Sequence, residues 1–84
     1  MIYVFGQEDC MTCIVTKNLL QTKNIVFEYY DIGTVYEDKD LMKLRHTLKK
    51  QATKEQGKDY TLPLISKGET LITLEEAIIG SKNE

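Results

Sequence analysis

A chain of 84 residues, with 42% hydrophobic and 29% charged side chains, suits one compact domain spanning residues 1–84 and is neither disordered nor fibrous in composition. Its net charge of −2 gives little reason for a nucleic-acid partner, because such proteins carry a basic stripe that neutralises phosphates. Lys49, Lys50, Lys54 and Lys58 come nearest to one, but Gln51, Glu55 and Asp59 break the run, so it reads as a solvated helix face. No stretch approaches the ~20 apolar residues of a membrane span. Met1 to Phe5 is too short for a signal core and has no basic segment before it, so a cytoplasmic protein without membrane association is expected.

Ile2 to Phe5 is a run of β-branched and aromatic residues ending at Gly6, and reads as a buried first strand. After a loop to Asp9, the spacing of Met11, Ile14, Val15 and Leu19 predicts a helix with these residues inward. Asp9 is the expected N-cap, with Cys10 in the first turn and Asn24 at the close. Ile25 to Ile32 alternates as a second strand, ending at Gly33, and Thr34 to Lys39 is a polar connection. From Asp40 to about Gln56, Leu41, Leu44, Leu48 and Ala52 recur at helical spacing, with Gly57 as the stop. Thr61 to Ser66 is a third strand opened by Pro63. Lys67-Gly68-Glu69 turns the chain into a fourth strand, Thr70 to Ile72. Thr73 and Glu76 form a capping box that starts a last helix through Ile79, followed by a polar tail from Gly80. The order β-α-β-α-β-β-α implies an α/β fold with three helices on a four-stranded mixed sheet, parallel across the first helix and antiparallel at the final hairpin.

Cys10 and Cys13, a Cys-x-x-Cys pair where the first strand meets the first helix, are the informative feature. In a chain without secretory context such a pair is catalytic or metal-binding more often than structural. Disulfide exchange needs a thiolate, and a helix N-terminus favours one through its unpaired N–H groups and its dipole, worth ~0.3–1 kcal/mol and up to ~2 when partly buried. Glu8 and Asp9 work against it by like charge. Exchange also needs a second thiol in reach. Helical residues three apart hold their Cβ atoms ~5–6 Å apart. A disulfide wants ~3.5–4.5 Å, so the bond forms with some distortion and is readily reduced. Cys10, at the tip, is the expected nucleophile. Cys13, one turn in, is the expected buried resolving thiol. The rival reading is a non-catalytic metal or iron–sulfur module. Zinc takes about four ligands, and the remaining soft ligand is His46, expected mid-helix.

With Tyr3-Val4-Phe5-Gly6 leading into Cys10-Met11-Thr12-Cys13, and Thr61-Leu62-Pro63 opening the third strand, the chain resembles the glutaredoxin family of the thioredoxin fold over essentially its whole length. The resemblance implies a thiol–disulfide oxidoreductase with Cys10 as nucleophile and Cys13 as resolving cysteine. It implies a cis Leu62–Pro63 bond facing the pair, with Leu62 pairing its backbone to substrate. Thr61, Leu62, Pro63, Thr73 and Glu75 are then the substrate-binding candidates. Thr73, at a helix N-terminus, would take a carboxylate, and Glu75 an ammonium. Met11-Thr12 stands where many glutaredoxins have Pro-Tyr, and looks more like the small redoxins that serve ribonucleotide reductase. Ile72-Thr73-Leu74-Glu75 replaces the Gly-Gly-x-Asp that helps hold glutathione. The compact size is also similar to that of phage-encoded glutaredoxins. The resemblance therefore implies a monomer with no tightly bound cofactor, a disulfide-containing client protein such as ribonucleotide reductase, and glutathione or thioredoxin reductase as source of electrons. Among the tyrosines, Tyr60 is the candidate to line a substrate groove, while Tyr29, Tyr30 and Tyr36 read as packing. Lys17 is a candidate positive charge near the pair.

Overall fold

The computed structural model describes residues 1–34, 37–58 and 60–82. Tyr36, Asp59 and the last two tail residues lie outside them. The elements run β1 (Ile2–Gly6), α1 (Met11–Thr22), β2 (Phe27–Asp31), α2 (Lys39–Gln56), β3 (Leu64–Lys67), β4 (Thr70–Ile72) and α3 (Leu74–Lys82).

The four strands form one mixed sheet in the order β2-β1-β3-β4. β1 pairs parallel with β2, Val4 opposite Tyr29 and Gly6 opposite Asp31. On its other side β1 runs antiparallel to β3, Val4 opposite Ile65, and β3 runs antiparallel to β4, Ser66 opposite Leu71. The inner position of β1 explains its unbroken apolar run: successive side chains serve opposite faces, and both faces are covered. Ile2 and Val4 enter one cluster with Leu20 of α1, Ile65 of β3 and Ala77 of α3. Phe5 enters the other with Leu48 and Ala52 of α2 and Leu64 of β3. α1 and α3 therefore pack on one face of the sheet and α2 on the other.

α2 starts where Asp38 Oδ1 accepts the N–H groups of Asp40 and Leu41, at 2.9 and 3.2 Å, which satisfies two otherwise unpaired donors. It stops at Gly57, whose φ of 86° lies in the region open to glycine. Midway along, Gln51 reaches the edge of the sheet. Its Nε2 donates to Glu69 O and its Oε1 accepts from Leu71 N–H, both at 2.8 Å.

Several expected boundaries move. β2 begins at Phe27 rather than Ile25, because Asn24 turns left-handed at φ 59° and leaves Val26 exposed. β3 begins at Leu64, since Thr61 to Pro63 form a loop; the Leu62–Pro63 bond within it is cis, as expected. α3 continues through Gly80 to Lys82, where a tail was expected. The phase of α1 also differs. Cys13, Thr16 and Leu20 face inward, whereas Met11 is 72% exposed and Ile14 and Val15 are also exposed. The spacing of apolar residues misleads here because Cys13 and Leu20 fix the helix rotation, and Cys is among the most readily buried residues.

Candidate functional site

The loop after β1 closes as a turn, with Cys10 N–H donating to Gln7 O at 3.3 Å. That turn occupies Glu8 and Asp9, so the helix is not capped by Asp9 as the sequence suggests. Cys10 is itself the N-cap, in an extended conformation at φ −95° and ψ 110°. Its carbonyl accepts Ile14 N–H at 3.1 Å, the first helical bond. Its sulfur takes the part usually played by a Ser or Asp oxygen and accepts Cys13 N–H at 3.2 Å. The backbone at the head of α1 thus points a donor at the Cys10 sulfur.

The two thiols, both free, differ in environment. Cys10 is half-buried and Cys13 is 0% exposed. Burial first, then the hydrogen bond and charge of Cys10, push the Cys13 thiol up to about 11, while a backbone hydrogen bond with Gln7 works the other way. Cys13 fits because residue 6 is glycine. A Cβ on Gly6 would lie 2.9 Å from Cys13 Sγ and 2.7 Å from Tyr29 Oη.

Tyr29 is the residue that the sequence reading missed. It comes from β2, donates its hydroxyl to Gln7 O at 3.4 Å, and lies beneath Lys17, whose Nζ is 4.9 Å from the ring centroid. Burial, then the neighbouring Cys13, raise its phenol above the ordinary tyrosine value. The parallel pairing of β1 with β2 brings it there, and alternation alone could not separate a packing tyrosine from one beside the thiols. Lys17 is held over the ring of Tyr29. Tyr60 instead packs in the apolar cluster beneath α2.

A groove of about 400 Å³ opens beside the pair. Thr12, between the cysteines, and Thr16 form one wall, and Thr61, Leu62, Pro63 and Thr73 are on the others. Four of the five expected substrate-binding residues thus share one cavity with the turn of helix that carries the cysteines. Glu75 does not line it and is exposed. Thr73 lines it, but its hydroxyl is committed: Thr73 Oγ1 accepts Glu76 N–H, and Glu76 Oε1 accepts Thr73 N–H, both at 3.1 Å. This is the expected capping box, and it leaves the head of α3 poorly equipped to take a carboxylate. His46 is exposed on α2 with Met42, Lys43 and Arg45 around a separate shallow depression. Among the described residues no three His, Cys, Asp or Glu side chains converge as a metal site, and no helix is long and apolar enough to cross a membrane.

Comparison of the chain with protein-family models, with curated proteins and with solved structures finds no match.

Proposed function

We propose that this chain is a thiol–disulfide oxidoreductase of thioredoxin-like fold and glutaredoxin type, exchanging its Cys10–Cys13 dithiol for a disulfide in a client protein. The observation that carries this reading is the Cys10 sulfur at the head of α1, hydrogen-bonded to Cys13 N–H, with Cys13 wholly buried one turn behind. A structural pair would have no need of that asymmetry. The sheet order, the cis proline ahead of β3 and the groove linking that loop to Thr12 fit the same reading.

In the proposed cycle the Cys10 thiolate attacks one sulfur of the client disulfide. A bond forms to Cys10 Sγ, the client S–S bond breaks, and the departing sulfur leaves as a thiolate that takes a proton from solvent. Cys13 then loses its proton and attacks Cys10 Sγ. The Cys10–Cys13 disulfide forms and the second client thiol is released. Two electrons and two protons have passed to the client, and a dithiol or glutathione must restore the protein. Cys13 need not ionise until the mixed disulfide forms, when the charge of Cys10 that opposes its ionisation is gone.

The test is single-turnover reduction of a disulfide-bonded protein such as insulin. Cys10→Ser is expected to abolish it, and Cys13→Ser to accumulate a mixed disulfide visible by mass spectrometry. Full activity in Cys10→Ser would overturn the assignment.

A further inference from the structure

The groove beside the cysteines differs in charge from what an anionic thiol such as glutathione would require. Among the described residues its charged lining is Glu55, from the end of α2, and Glu76, from the first turn of α3, with no lysine or arginine. Glu8 and Asp9 stand exposed immediately before Cys10. The N-terminus of α3, which could otherwise attract a carboxylate there, is closed by its own capping box and carries Glu75 and Glu76 in its first turn. Lys17 is drawn over the ring of Tyr29 and does not line the groove.

A second observation indicates that the groove receives a ligand. Thr16 lines it and is only 3% exposed, yet among the described residues its hydroxyl has no hydrogen-bond partner. A polar group entering beside Thr12 and Thr16 would satisfy it. Met11 and Val15 are exposed one turn apart on α1, next to Cys10.

We propose that the groove selects a cationic disulfide, carried on a polypeptide segment that has lysine or arginine beside its cysteine, over anionic disulfides such as oxidised glutathione. This rests on the redox reading given above and adds to it the class of substrate. Negative potential in a confined groove raises the local concentration of positive substrate and repels carboxylates, so the selection acts on the attack by Cys10 and weakens as salt screens it.

The experiment uses the reduced full chain and small disulfides of similar skeleton but different charge: cystamine with two ammonium groups, bis(2-hydroxyethyl) disulfide with none, 3,3′-dithiodipropionate with two carboxylates, and oxidised glutathione. Each rate of Cys10–Cys13 oxidation is divided by that of dithiothreitol with the same compound, which removes intrinsic electrophilicity. Summed over the acidic groups, cystamine is expected to exceed the dicarboxylate by about tenfold at low salt and by about twofold or less near 0.5 M. Glu55→Lys, at an exposed position, is expected to cut the low-salt ratio by roughly threefold. A normalised ratio at or below one, or a ratio that salt leaves unchanged, overturns the charge selection while leaving the dithiol chemistry standing. Failure of all four compounds to oxidise the protein, or equal oxidation of the Cys10→Ser variant, would instead overturn the redox reading and this inference with it.

Discussion

Replacing Gly6 by alanine probes the contact that lets the resolving thiol sit where it does. Residue 6 is buried at the end of β1, and its backbone is not in the left-handed region, so alanine meets no conformational objection. On backbone grounds alone the change should stabilise the protein by about 0.4–1 kcal/mol, because alanine restricts the unfolded chain. Sterically it is opposed: the new methyl would lie 2.7 Å from Tyr29 Oη, 2.9 Å from Cys13 Sγ and 3.0 Å from Cys13 Cβ. The tyrosine tip can swing aside. Cys13 cannot, since its Cβ is fixed by α1 and its side chain is wholly buried. Overpacking of this kind costs about 1–3 kcal/mol, so a net loss of about 1–2 kcal/mol is expected. For a domain of this size that is roughly 4–15 °C in melting temperature. Urea and thermal unfolding of the reduced protein give the number. Adding Tyr29→Phe should recover only part of it, because the contact with Cys13 remains. A Gly6→Ala protein as stable as the parent would refute the close packing of β1 against Cys13.

Two further outcomes follow from the site. Thr73→Ala removes the hydroxyl that accepts Glu76 N–H and should cost about 0.5–2 kcal/mol in urea unfolding, whereas Thr73→Ser should cost little. Because burial, the largest cause, raises the Cys13 thiol from 9.0 to about 11, its neutral form belongs to the folded state and its thiolate to the unfolded one. Reduced protein is therefore expected to keep this contribution below pH 9 and to lose it as pH rises towards 11, so urea midpoints should fall more steeply across that interval than in Cys13→Ala.

Much of the fold was legible because local signals and the global pattern agree. The hairpin at Gly68 gives β4 at its expected bounds, Gly57 stops α2, and Thr73 with Glu76 opens α3. In each case two or three neighbouring residues carry the whole reason. The head of α1 is different. Asp9 is the better capping residue by preference, but the hydrogen bond from Cys10 to Gln7 settles the turn first and hands the cap to a sulfur. Met11, Ile14 and Val15 suggested an inward stripe, while the true inward positions include Cys13 and Thr16, which hydrophobic spacing discounts. The cysteines and the proline loop could be named from their spacing. That Thr12 and Thr73 meet across a groove, and that Tyr29 reaches Gln7, depends on strand pairing between distant segments.

The side chain of Gln51 has an effect on how copies of this chain can meet. By holding Glu69 O and Leu71 N–H it imitates a short length of neighbouring strand, and Thr73 N–H just beyond is taken by Glu76. The margin of the sheet at β4 is thus sealed from within by a helix, and another polypeptide cannot add there without first displacing an amide that satisfies two backbone groups at once. Among the described residues the outer margin at β2 has no strand beside it, and there Glu28 and Asp31 place negative charge along the rim. Sheet growth is therefore discouraged by plugging on one side and by repulsion on the other.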